Sequence, residues 1–255
     1  YAALQWREIP EFINKFKFGK VIQIYRDPRS VLASWKKLSS IPNYSYLNAV
    51  FNWVDSIQHV EKYKKKYNKK KYFPVKYEDI MVNPNKLVKE ITEFLKIKNE
   101  KNLLEPNKWK KKFDSKIVHV PRSAHEGKNI LGFSEKRISN WKKNLQNWEI
   151  YFVEKICSNL MKKNAYNLSN FNSHQKKVFD KKINKILLKN NLLRKNYNNF
   201  INKNVGINQY PTDPTDPRSW GSPDDASKWF VETELSKEYF QELAISSKKI
   251  NEKYI

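Results

Sequence analysis

An arginine that closes a short apolar run, with Asp-Pro directly after it, is the first place in this chain where residue types and spacing could do chemistry. Residues 20–25 read KVIQIY, and Arg26-Asp27-Pro28 follow. The run is short and nearly all apolar, as in a buried strand of a parallel sheet. Asp27 can accept from the free amides of a following helix, and Pro28 suits a first helical position. Val31, Leu32 and Trp35 then recur at helical spacing. Strand, tight turn and helix put Arg26 at the carboxyl end of a strand, where open α/β sheets bind ligands. The helix start beside it offers amides and a positive dipole end. A guanidinium there adds a fixed positive fork. The chemistry indicated is anion binding, with phosphate as the first candidate. The other reading of the same residues is an Arg26–Asp27 pair on the surface. Two hydroxyls lie on the helix. Ser30 is nearer the free amides, whereas Ser34 is about 9 Å up the axis at ~1.5 Å per residue.

The elements that would hold such a site can be read next. Residues 45–66 form a helical pattern with Leu47, Val50, Phe51, Val54 and Ile57 inward, ending in a Lys-rich run over 62–71. Residues 72–77 (YFPVKY) predict a second strand, with Pro74 near its start or on an edge and Glu78-Asp79 at its exit. Asn83-Pro84 predict the start of a helix over 84–96, with Leu87, Val88, Ile91, Phe94 and Leu95 as its stripe. A further helix is predicted over 146–163. Cys157 lies on its apolar stripe and reads as a core residue, not a nucleophile. Strands alternating with helices indicate an α/β fold.

Several classes are excluded. One cysteine permits no intrachain disulfide and no cysteine-built zinc site. No apolar run is long enough to span a membrane. The four histidines (His59, His119, His125, His174) form no i, i+4 pair, so no metal is expected. His119 and His125 flank Pro121-Arg122-Ser123 and read as loop residues, with a lid or acceptor-binding role as the other reading. The five glycines make neither a G-x-x-x-x-G-K-[ST] loop nor a G-x-G-x-x-G turn. The phosphate cradle of a complete mononucleotide fold is therefore not among these residues. The first residue is Tyr1, and an internal or C-terminal piece of a longer protein is expected. Cysteine poverty suits a cytoplasmic location.

The charge is +24, from 50 basic and 26 acidic residues. Of the basic residues 43 are lysine, and asparagine numbers 29, so much of the surplus reads as compositional drift rather than phosphate readout, which favours arginine. It is also uneven. Residues 205–255 carry a net −3, while 174–204 hold nine basic residues against the single acid Asp180. Val178, Ile183, Ile186, Leu187, Leu193 and Tyr197 recur through that basic stretch at helical spacing, as in one or two basic amphipathic helices. They read as solvated, or as a surface for an acidic partner or nucleic acid. Residues 210–217 repeat Thr-Asp-Pro, which is linker chemistry, and a helix is expected over about 226–250.

Three segments carry a resemblance. KVIQIYRDPRSVLASW (20–35) resembles the 3′-phosphate-binding segment of sulfotransferases that use 3′-phosphoadenosine 5′-phosphosulfate (PAPS), where an Arg ends the strand and a Ser lies eight residues on. PVKYEDIMVNPNKLVKEITEFL (74–95) resembles the same family's strand-Tyr-Glu-Asp-helix unit. KRISNWKKNL (136–145), with the helix after it and Ala165-Tyr166, resembles the family's closing basic segment and last helix. The likeness covers about 20–166 and is to the generic, bacterial-like branch. It implies a P-loop-NTPase-like sulfotransferase fold, a central parallel sheet flanked by helices, whose first P-loop strand-loop-helix is missing. It implies Arg26, Ser34 and Arg137 on the 3′-phosphate and Tyr77 against the adenine. It implies PAPS as co-substrate without a metal, and an acceptor hydroxyl or amine on a glycan, lipid, metabolite or protein. The loop for the 5′-phosphosulfate and the general base would lie before Tyr1; Glu8 and Glu11 are the acids of the first 19 residues. The division expected is a partial sulfotransferase domain over 1–170 and a helical C-terminal extension over 171–255, made of basic helices at 174–204, a Pro-rich linker at 205–225 and the last helix. The rival classes are a nucleic-acid-binding module that uses the basic helices and a nucleotide or metabolite kinase-like phosphotransferase.

Overall fold

The computed structural model describes residues 5–38, 44–104 and 133–206. Two strands, β1 (Val21–Tyr25) and β2 (Tyr72–Lys76), pair in parallel, from Val21 opposite Tyr72 to Tyr25 opposite Lys76. Parallel strands need a long crossover. Here it contains α2 (Pro28–Leu38) and α3 (Ala49–Lys66), with a 3-10 turn at Ser45–Asn48. Helix α1 (Gln5–Lys15) precedes β1, and α4 (Tyr77–Val82) and α5 (Pro84–Leu95) follow β2. A 3-10 turn at Glu135–Arg137, α6 (Trp141–Asn144), α7 (Asn147–Lys163), α8 (Ser173–Lys189) and α9 (Asn191–Lys203) complete the described elements.

The helix starts are set by local chemistry. Asp27 Oδ1 accepts the Arg29 amide at 2.8 Å, with Pro28 in the first helical position of α2. Asn83 caps α5 ahead of Pro84. Reciprocal capping boxes open α7 (Gln146 with Glu149) and α8 (Asn172 with Gln175). Two boundaries differ from those expected. The second strand ends at Lys76, so Tyr77 opens a helix instead of closing the strand. Glu78 and Asp79 in that first turn suit the positive end of the helix. The helix expected from 45 begins with a 3-10 turn after Tyr44, which takes a left-handed φ of 62°.

One apolar core joins α2, α3 and α7 through Leu32, Val50, Phe51, Val54, Ile57, Phe152, Val153, Ile156, Cys157 and Met161. Ile183, Ile186, Leu187, Leu193 and Phe200 of α8 and α9 belong to the same core. All described elements fall in one compact unit, Leu4–Asn208. The stripe expected on α5 is only half-buried, and Thr92 is the one fully buried residue of that helix. The Thr-Asp-Pro stretch, the helix expected over 226–250, His119 and His125 lie outside the described residues.

Candidate functional site

The turn between β1 and α2 is fixed from four directions. Trp53 Nε1 of α3 donates to the Arg26 carbonyl at 2.8 Å. Glu78 Oε1 accepts the Asp27 amide at 2.9 Å, and its other oxygen accepts the Tyr166 hydroxyl at 3.0 Å. Asp27 in turn binds the Arg29 guanidinium, with Nη2 at 2.6 Å and Nε at 3.0 Å. Arg29 Nη1 donates to Glu154 of α7 at 2.8 Å, and Glu154 also accepts the amide and hydroxyl of Ser169. The Arg29 guanidinium lies 4.1 Å from the centre of the Trp141 ring. Burial alone would lower its pKa, but Asp27 and Glu154 outweigh that and raise it.

Arg26 is therefore left out of the ion pair that its neighbour Asp27 could have offered. Arg29, three residues further on, takes Asp27 instead. The Arg26 guanidinium sits over the Tyr77 ring, 4.2 Å from its centre, and Nη2 donates to the Arg137 carbonyl at 3.0 Å. Its Nε is buried and has no hydrogen-bond partner among the described residues. A buried charged donor without an acceptor is uncommon in a folded protein. Ser30 Oγ donates to the next carbonyl of the same segment, that of Ile138, at 3.3 Å. Arg26 and Ser30 together hold the 137–138 backbone against the start of α2.

Of the four residues expected at the donor, Arg26 thus meets the Tyr77 ring and, through the backbone carbonyl alone, Arg137. Neither Arg26 nor Arg137 has a carboxylate partner among the described residues. Ser34 lies one turn beyond Ser30 on the same face of α2 and has no hydrogen-bond partner among the described residues. The sequence pattern missed Glu78, Arg29 and Glu154, which fix the turn. A signal was present for Glu154, an acid on the α7 stripe three residues before Cys157.

Three groups are held protonated at neutral pH. Burial first, then Asp79, Glu61 and Glu78, push the Tyr25 hydroxyl up to about 12. Burial first, then Glu78, raises Tyr166 further. Cys157 is fully buried, and its thiol is raised well above the ordinary value by burial and then by Asp27. Glu11 lies on the exposed side of α1, paired with Lys15 at 3.3 Å. The side chain of Glu8 lies outside the described residues. Among the described residues, no group of three or more His, Cys, Asp and Glu could hold a metal ion, and no helix is long and apolar enough to cross a membrane.

The family model of the sulfotransferase domain matches residues 9–165. A solved sulfotransferase domain from the curacin biosynthetic pathway is similar over 66% of this chain and 60% of its own, at 20% identity and a TM-score of 0.50. A sulfotransferase domain from the Synechococcus PCC 7002 olefin synthase is 19% identical over 59% of this chain and 50% of its own, with a TM-score of 0.41. The chain thus spans about 60% of the length of the first of these domains. No curated protein matches.

Proposed function

This chain belongs to the sulfotransferase domain family, and on that premise we propose that it transfers a sulfo group from PAPS to a hydroxyl or amine of an acceptor. The observation that carries the reading is the state of Arg26. Its Nε is buried without an acceptor among the described residues while its guanidinium sits over the Tyr77 ring and is tied to the Arg137 carbonyl. An anion with several acceptor oxygens, as in a 3′-phosphate, supplies the missing partner in a charge-assisted bond. The same guanidinium, set over an aromatic ring, suits a ligand that joins a phosphate to a planar base.

In this reading Arg26, Arg137 and Ser34 hold the 3′-phosphate, and Tyr77 lies against the adenine. Glu78, Trp53 and Asp27 keep the turn in place before the donor arrives. These groups align the donor rather than touch the breaking S–O bond, so they supply binding and orientation. Sulfuryl transfer resembles phosphoryl transfer in needing mostly positioning and charge stabilisation. The base that takes the acceptor proton is assigned to no described residue.

Changing Arg26 to Ala tests the proposal in a longer protein that contains the 5′-phosphosulfate loop. The apparent KM for PAPS should rise more than kcat falls, as expected for a group that binds ground and transition states alike. Binding of adenosine 3′,5′-bisphosphate should weaken by roughly a hundredfold, on the order of a lost charge-assisted bidentate contact. Adenosine 5′-phosphate, which lacks the 3′-phosphate, should bind wild type and Arg26→Ala equally. Equal losses in KM and kcat, or equal loss of both nucleotides, would remove Arg26 from the 3′-phosphate.

A further inference from the structure

The hairpin of α8 and α9 turns one side to the core and the other to solvent. Ile183, Ile186, Leu187, Leu193 and Phe200 are buried on the inner side. On α8, Lys177, Lys181, Lys185 and Leu188 follow one another at spacings of four, four and three, which places them along one exposed stripe. Lys189 and Lys195 are exposed at the turn and on α9. None of these lysines has a carboxylate partner among the described residues. Asp180, the one acid of the two helices, is already engaged by Lys155 at 2.7 Å. The outer face is therefore cationic without compensation.

Large aliphatic side chains lie among these cations. Leu188 is 69% exposed and Leu192 is 50% exposed, one on each side of the turn at Asn190, and Ile201 is 57% exposed further along α9. A lone exposed leucine needs no explanation. Here five of the eleven exposed large hydrophobic residues among the described residues fall within 173–205, so they are concentrated where the lysines are.

We propose that the tip of the α8–α9 hairpin docks on an anionic lipid bilayer. Leu188 and Leu192 enter the boundary between headgroups and acyl chains, and Lys185, Lys189 and Lys195 meet the lipid phosphates and carboxylates around them. Lysine stems reach along the apolar layer and keep the ammonium in the headgroups. Both halves of the face are used: the cations by the surface charge and the leucines by the hydrocarbon. A nucleic-acid duplex would satisfy the cations and leave the leucines in water. The nine cations of 174–204 include a single arginine, Arg194, and its Nη2 is bonded to Asn191 at 3.0 Å. The proposal rests on this face alone and is independent of the sulfotransfer reading.

Co-sedimentation of the full chain with phosphatidylcholine vesicles, with and without phosphatidylserine, tests it. The chain should sediment with the phosphatidylserine vesicles, stay in solution with phosphatidylcholine alone, and be released by high salt, which screens the lysines. The double change Leu188→Asn and Leu192→Asn touches exposed side chains, so the melting temperature should hold while vesicle affinity falls by roughly tenfold or more. A second readout uses Leu188→Cys labelled with a polarity-sensitive dye, since Cys157 is fully buried and slow to react. Its emission should shift to the blue on phosphatidylserine vesicles. No sedimentation with those vesicles, sedimentation unaffected by the leucine changes, or no emission shift would each overturn the proposal. Tighter binding to a duplex oligonucleotide than to vesicles, indifferent to the leucine changes, would assign the face to nucleic acid instead.

Discussion

Glu78 is the residue on which the site's geometry turns. One carboxylate oxygen holds the Asp27 amide next to Arg26, and the other holds the hydroxyl of Tyr166, beyond the end of α7. Its own neighbour in sequence, Tyr77, is the ring under Arg26. One side chain therefore couples β1, α4 and the segment after α7. Glu78→Gln keeps one acceptor but replaces a charge-assisted pair with neutral bonds, at about 1–2 kcal/mol. Glu78→Ala leaves a buried amide and a buried hydroxyl unpaired, at about 3 kcal/mol or more. Urea unfolding midpoints should rank wild type above Glu78→Gln above Glu78→Ala, and the proposed donor's KM should rise in the opposite order, lowest in wild type and highest in Glu78→Ala. A midpoint for Glu78→Ala equal to wild type would remove the clamp. Arg26 drew notice by its place at the end of a strand, and Ser34, Tyr77 and Arg137 by short patterns of neighbours that resemble the family's; that they bind the donor is our proposal. The Glu78–Asp27 and Arg29–Glu154 bonds were not legible from sequence, because they join residues 51 and 125 positions apart, although Glu154 stood out as an acid on an apolar stripe. Spacing along a chain carries no information about such pairs until the fold brings them together.

At the scale of elements, patterns with a period were the readable ones. The start of α2 at Pro28, the start of α5 at Pro84, and the buried stripes of α3 and α7 agree with their sequence signals. The short helix α4 has too few residues to show a period, and tertiary bonds to Glu78 decide it. The end of α9 was equally silent. After Asn204, in a left-handed conformation with φ 49°, the chain folds back onto α3. Gln58 donates to the Asn204 carbonyl at 2.9 Å and accepts the Gly206 amide at 3.2 Å. A Cβ at Gly206 would lie 2.0 Å from the Asp55 backbone nitrogen, so only glycine allows this approach. Asp55 is itself buried and binds Trp6 and both ends of the Arg7 fork. Gly206→Ala should therefore lift the tail from α3 and cost about 1–3 kcal/mol, in the range of core overpacking. Thermal denaturation reads the loss. An unchanged melting temperature would show that the tail's seat on α3 contributes nothing.

For the whole molecule, net charge was a poor guide and the distribution of apolar residues a better one. The +24 divides between a strongly basic stretch at 174–204 within residues 1–204 and a mildly acidic stretch at 205–255. The division expected at residue 170 followed the end of the family resemblance. Apolar packing does not stop there, since α8 and α9 insert Ile183, Ile186, Leu187, Leu193 and Phe200 into the core of α3 and α7. We propose that the folding unit extends to Asn208, the end of the compact region. Burying five such side chains is worth on the order of 10 kcal/mol at ~1.5–3 kcal/mol each, comparable with the whole stability of an ordinary domain at about 5–15 kcal/mol. A chain cut after Asn208 should therefore keep the cooperative unfolding transition of the longer protein. One cut after Asn170 should lose it, because Leu47, Phe152 and Trp148 would face water along the side that α8 and α9 now cover. Calorimetry on the two truncations separates the cases. A cooperative transition at an unchanged temperature in the shorter chain would make α8 and α9 an appendage to the sulfotransferase domain rather than part of its core.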